Sequence, residues 1–382
     1  MRKPRAFTII ELLVVVSIIA LLVGILLPAI GKARDQAQVS ISQANLRNLA
    51  TAHQAYAAEW GDRQITFVDD NIASYGSGIA AYDAYLDAHG DDGEHEGFAQ
   101  HPPMYLGWGH DHDADVYRMF AYRCTRGQAA NVALNQPIVF DNPSFMAGFG
   151  SFRLANCMQF NQYVSGRFYD KVWYAPKDKL AMEGAAPCFE SPDSFCDHAE
   201  ISQEMGDTPV WSSYCLSPAA MYNPAVMRHD DPTDDTANGW VDPWELGAGF
   251  RSPSMSQALY PSLKTHMLEH SWLQNTQAEC NPTFEPGSFD GCEPYYFNHA
   301  WESSPVTLFY DGHVEGVGVR KAMRADGRVR TQTGEPNWGL WSKDTGLEGE
   351  NGYFIDASYD QAATSFHILT TDGIRGRDIM GD

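Results

Sequence analysis

The stretch MRKPRAFTIIELLVVVSIIALLVGILLPAIGKAR, residues 1–34, decides how the rest of the 382-residue chain is read. Arg2, Lys3 and Arg5 precede an almost unbroken apolar run from Phe7 to Ile30. Cations ahead of an apolar segment stay on the cytoplasmic side, so the chain is expected to sit N-in and C-out in the cytoplasmic membrane. A helical run of about 20 residues spans a hydrocarbon core roughly 30 Å thick. A cleaved secretory signal would end in a small-residue site, and no good one follows Ile30. Instead Ile41, Ala44, Leu49, Ala52 and Tyr56 recur at helical intervals among polar residues. The pattern predicts one helix from Phe7 to about Trp60, half in lipid and half amphipathic, stopped by Gly61 and Asp62.

Glu11 interrupts the apolar run. An ionised carboxylate there costs about 2.5–3.5 kcal/mol on insertion scales, which the surrounding Ile and Leu residues offset at about 0.3–0.6 kcal/mol each. A cost of that size points to a charge partner. Ala6, Phe7, Thr8, Ile9, Ile10, Glu11, Leu12 and Leu13 together resemble the leader junction of type IV prepilins and type II secretion pseudopilins. The resemblance implies that a prepilin peptidase cuts between Ala6 and Phe7 and methylates the Phe7 amine. It also implies that Glu11 pairs with the N-terminal amine of a neighbouring subunit during filament assembly. Ala6 departs from the Gly usual before the cut. Gly24 and Pro28 lie where pilins loosen or kink this helix, and Pro28 removes a backbone donor, so a bend or local melting is expected.

The body is strongly acidic, with 26 basic against 49 acidic residues and a net charge of -23. Such a surface repels phosphate backbones, so nucleic acid is not an expected partner. Seven cysteines all lie beyond the apolar segment, where export permits disulfides. The short loops Cys188 to Cys196 and Cys280 to Cys292 are the easiest to close, one cysteine must remain unpaired, and no CxxC pair suggests zinc.

Near the C-terminal end, FNHAWESSPVTLFYDGHVEGV resembles the His-spacer-Asp-Gly motif of a large planctomycete prepilin-like family, with His299 preceding Asp311 and Gly312. Eleven residues separate His299 from Asp311, a longer spacer than usual. VWYAPKDK and VWSSYCLSPAAMYN resemble strands of that family. From the residues themselves, Val306–Tyr310, Asp311-Gly312 and Val314 onward read as a hairpin whose turn His299 and Asp311 clamp, a structural role. Further short strands are expected at Pro137–Phe140, Phe168–Tyr174 and Pro209–Tyr214. The expected architecture is therefore α+β, a long pilin-like helix packed on an antiparallel sheet body with long loops. It divides into a leader at 1–6, the helix at 7–60 (transmembrane at about 7–30), the exported body at 61–320, and a β-rich C-terminal extension at 321–382.

The stretch GHDHDADVY supplies Asp111, Asp113 and Asp115 as alternating oxygen ligands suited to calcium, and His110 and His112 would also admit zinc. It is not an EF-hand, because Val116 and Tyr122 stand where that loop needs Gly and Glu. A solvated acidic loop is the simpler expectation, and no cofactor is otherwise implied. No GxSxG, HExxH or comparable spacing occurs, so the chain is expected not to be an enzyme. The expectation is a structural subunit of a type IV pilus, type II secretion filament or surface structure, assembled with itself or other pilin-like chains, periplasmic or at the cell surface. The alternative is a membrane-tethered binding protein for carbohydrate, a surface partner or a secreted substrate, using its ten tryptophans.

Overall fold

The computed structural model describes residues 8–89, 105–111, 116–121, 136–138, 150–190, 196, 210–228, 241–270, 304–334, 339–341 and 366–381. Helix α1 spans Ile9–Glu59, 51 residues and about 76 Å at 1.5 Å per residue. It starts at Thr8, which caps it, and ends where Gly61 and Asp62 both take positive φ (65° and 69°), a left-handed turn that no helix continues through. Every described residue up to Ala37 is exposed, while Ser42, Asn45, Leu46, Leu49, Ala52, His53 and Ala57 are buried in the body. The buried face differs from the one expected. Leu49 and Ala52 lie on it, but Ile41 and Ala44 face outward, and Ser42 and Asn45 take their place. The body meets α1 there through polar groups, described below, that apolar side chains could not satisfy.

Helix α2 (Gly78–Ala88) follows, then a two-stranded hairpin of β1 (Tyr105–Asp111) and β2 (Val116–Ala121). The central sheet is antiparallel in the order β3-β4-β5-β6, made of Tyr214–Leu216, Thr265–Glu269, Val306–Phe309 and Val314–Gly316. All five positions of β4 and all four of β5 are buried, so both faces of the sheet centre are covered, α1 lying against β5 and β6. The α+β class stands as expected.

Local details differ from the sequence expectation. Within Phe168–Tyr174 there is a 3-10 turn, Lys171–Trp173, because the Asp170 carboxylate accepts the Val172 amide and bends the chain out of an extended path. Of the described residues 210–214 only Tyr214 is strand, Pro137 and Ile138 lie in none, and Pro209, Val139 and Phe140 lie outside the described residues. The segment expected to open a β-rich extension at 321 instead belongs to α3 (Val319–Thr333), which crosses that boundary. Its Arg, Lys and Ala content favours helix, and Gly334 closes it with φ 76° while its amide reaches the Arg330 carbonyl.

The described C-terminal residues pack onto the body through a buried ion pair. Lys264 Nζ lies 2.9 Å from Asp378 Oδ2, both side chains wholly buried, and also donates to Thr370 Oγ1 at 2.7 Å and Ser217 Oγ at 3.0 Å. The Thr265 amide reaches Asp378 Oδ2 at 2.9 Å and the His367 amide reaches Oδ1 at 3.1 Å. Burial pushes the Lys264 ammonium down, and the Asp378 charge and hydrogen bond hold it up. Removing one partner leaves an uncompensated buried charge, so Asp378→Ala should destabilise the body by about 3–5 kcal/mol in urea unfolding. The double variant Lys264→Met/Asp378→Leu should lose clearly less; equal losses would mean that the charges are not coupled.

Candidate assembly site

At the membrane end of α1 a single turn of chain closes on itself as a capping box. The Glu11 amide donates to Thr8 Oγ1 at 3.2 Å, and the Thr8 amide and hydroxyl both donate to Glu11 Oε2 at 2.9 Å. The acid therefore lies at the positive end of its own helix, where a negative charge is favoured. Both bonds fall on Oε2; among the described residues Oε1 receives none. The Thr-x-x-Glu spacing of this box is readable in the sequence, although the expectation there concerned Glu11 alone. Ala6 and Phe7 lie outside the described residues.

From Ile9 to Ile30 every side chain is exposed, and the apolar segment meets no other part of the described chain. It is long enough and apolar enough to cross a membrane. The helix continues through Gly24 and Pro28 without a break, so the local melting expected there is absent from this conformation. Pro28 still lacks the amide that would reach the Gly24 carbonyl one turn earlier.

The upper half of α1 is joined to the body by polar groups that sequence periodicity could not identify. Ser42 Oγ donates to Glu269 Oε1 at 2.7 Å and lies 2.9 Å from the Tyr214 hydroxyl. Asn45 Nδ2 reaches the carbonyls of Lys171 and Tyr174 at 3.3 and 3.2 Å, and Glu269 Oε2 accepts the Val306 amide at 2.9 Å. Burial and the nearby Glu269 charge push the Tyr214 phenol up. Past the end of the helix, Gln64 donates to the carbonyls of Ala220 and Pro253, both at 2.9 Å, and accepts the Tyr310 hydroxyl.

Between these contacts sit two buried imidazoles. His53 on α1 and His266 on β4 meet edge to face at 4.4 Å, flanked by Phe160 (4.2 Å from His53) and Tyr310 (4.5 Å from His266). Nε2 of each has no hydrogen-bond partner among the described residues. Burial pushes both rings toward the neutral form: His53 falls well below its ordinary value, helped by His266, and His266 is lowered to about 3, helped by Lys264.

The Asp-Gly turn is formed as expected. Gly312, at φ 87°, closes the short connection between β5 and β6, its amide donating to the Phe309 carbonyl. His299 lies outside the described residues. The imidazole that meets Asp311 is that of His313, with Nδ1 2.5 Å from Oδ1 and its ring stacked on Phe309 at 4.3 Å. Of the calcium candidates, Asp111 ends β1 opposite Val116, His110 is in the same strand, and His112, Asp113 and Asp115 lie outside the described residues. Among the described residues no three metal-ligating side chains come together. Cys188 and Cys196, one of the two loops easiest to close, form a disulfide. Cys157 and Cys215 are buried thiols pushed up to about 12 by desolvation, while Cys124, Cys280 and Cys292 lie outside the described residues.

Residues 1–27 match the family model described as the prokaryotic N-terminal methylation motif, consistent with a type IV prepilin-like protein. No curated protein and no solved structure was found to match the chain. The motif and the apolar helix together support a pilin-type precursor anchored in the membrane.

Neutral buried histidines have a sign for acid. The unfolded chain takes up protons below about pH 6.5 that folded His53 and His266 refuse, so stability present above that pH is lost as pH falls, for His266 down to about 3. Each imidazole contributes a slope of up to about 1.4 kcal/mol per pH unit. Thermal unfolding of the full chain in detergent should therefore fall between pH 7 and 5, and His53→Leu should flatten that fall. An unchanged slope would remove His53 as its cause.

Proposed function

We propose that this protein is a non-catalytic pilin-like structural subunit, cut by prepilin peptidase between Ala6 and Phe7 and assembled through α1 into a type IV pilus or type II secretion filament. The observation that carries it is an apolar helix surface from Ile9 to Ile30 that the described residues leave uncovered, headed by an oriented acid. In the membrane, lipid covers that surface; in a filament, the same surface of neighbouring subunits does. The capping box supports the pairing step, because Oε2 of Glu11 is held by Thr8 while Oε1, which accepts no bond among the described residues, is left for the Phe7 amine of a neighbour. Neutralising a carboxylate inside an apolar bundle supplies register as well as attraction. The body would stand on the outer face of the cytoplasmic membrane before assembly, and in the periplasm or at the cell surface after it.

One observation favours the alternative, a tethered binding protein. A groove of about 410 Å³ lies beside α1, lined by Asn48, Thr51, Tyr163, Ser165 and Asp170. Nearby, the half-exposed indole of Trp60 donates to the Tyr163 hydroxyl at 3.0 Å. An aromatic ring beside amide, hydroxyl and carboxylate groups suits a sugar. Quenching of tryptophan fluorescence by neutral oligosaccharides, lost in Trp60→Ala, would move the assignment there.

Two measurements test the main proposal. Mass spectrometry of the chain from its native membrane should find an N-terminus at methylated Phe7; an intact Met1, or a cut beyond Ile30, overturns it. Glu11→Ala should abolish recovery of the chain in sheared surface or filament fractions while membrane levels and body folding stay unchanged. Wild-type recovery from the variant would remove Glu11 from assembly.

A further inference from the structure

Helix α3 is basic in an acidic protein. It carries Arg320, Lys321, Arg324, Arg328 and Arg330 against the single acid Asp326. The rest of the chain then holds 21 basic residues (26 less 5) against 48 acidic (49 less 1), a net charge of -27. One short element thus concentrates a large share of the cations of the whole chain.

The cations divide by face. Ala322, Ala325 and Asp326 are buried, and Arg330 is committed inward, its Nε 2.7 Å from Asp326 Oδ2 and a terminal nitrogen 2.9 Å from the Trp341 carbonyl. Lys321 leans on Glu315 at 3.4 Å. Arg324 and Arg328 are exposed one turn apart, a strip about 6 Å long on one side of the helix, while Arg320, one turn earlier, has a contact of its own. Arg324 and Arg328 make no ion pair among the described residues. Like charges four residues apart repel, and cations in the first turn oppose the helix dipole, so the strip weakens its own helix.

We propose that this arginine strip docks the acidic surface of a second copy of the chain, giving the bodies a side-to-side contact in the assembled state; this rests on the pilin-like reading of α1. Charge complementarity selects the occupant. Bodies of this net charge repel one another at long range, and a basic strip on one side makes one orientation attractive. Guanidinium forks match carboxylates in pairs and shed water more readily than ammonium groups. Each exposed pair is weak by itself, but α1 packing holds copies side by side, so a weak contact operates at high effective concentration.

The test is sedimentation velocity of the processed full-length chain in detergent micelles at about 50 and about 500 mM NaCl, salts between which screening of exposed charges changes strongly. Wild type should self-associate at least about tenfold more tightly than R324E/R328E at the lower salt, with the gap closing at the higher one. Should R324E/R328E fail to fold, judged by circular dichroism, R324Q/R328Q should show a smaller loss with the same salt dependence. Equal association of folded variant and wild type at both salts overturns the strip. Glu11-dependent assembly in cells then still stands by itself, and it falls only if Glu11→Ala also assembles as wild type. Hydrogen-exchange protection of α3 in single-chain nanodiscs containing phosphatidylglycerol, with self-association unaffected by the reversal, assigns the strip to the membrane and overturns the proposal.

Discussion

The burial of Ile9–Ile30 away from water is the constraint on which the rest of the molecule depends. Nothing in the described chain covers this surface, so it must be covered by lipid or by other chains. A helix is the only form in which a single segment can meet that requirement, because each backbone donor and acceptor finds its partner inside the segment. The exceptions are the terminal amides and the Gly24 carbonyl opposite Pro28. Thr8 and Glu11 answer the first by bonding reciprocally at the N-terminus. One carboxylate therefore completes the helix end with one oxygen and keeps the other without a bond among the described residues.

The body is built to hold the other half of the same helix rigidly. The junction combines a short apolar stripe, Leu46, Leu49 and Ala52, with buried polar contacts at Ser42 and Asn45 and with the His53–His266 pair. Apolar packing alone tolerates sliding along a helix axis, whereas hydrogen bonds of defined reach to Glu269, Lys171 and Tyr174 allow a single register. The Lys264–Asp378 pair plays a similar part for the C-terminal residues, which it ties to the start of β4.

Electrostatics act at two ranges. The surplus of acidic residues keeps bodies apart in solution, while the buried charges of Lys264 and Asp378 are met at close quarters by each other and by amide and hydroxyl groups. The exposed face of α3 departs from both patterns, since its cations neither lie inside nor find acidic partners among the described residues at Arg324 and Arg328.

How much was legible in the sequence follows from the range of the forces involved. The membrane segment, the length of α1, its stop at Gly61-Asp62 and the Asp-Gly turn are all local, set by hydropathy or backbone conformation, and the sequence by itself determined them, while for the cysteines it offered Cys188–Cys196 only as one of two loops easy to close. Periodicity placed Ile41 and Ala44 on the buried face, and the sheet turned that face toward Ser42 and Asn45, because the partners that satisfy them come from distant parts of the chain. Only the tertiary structure decided that His53 meets His266 and that Lys264 meets Asp378. Such pairs have no spacing to read; they exist because burial removes water and leaves each polar group to whichever partner the fold brings within reach.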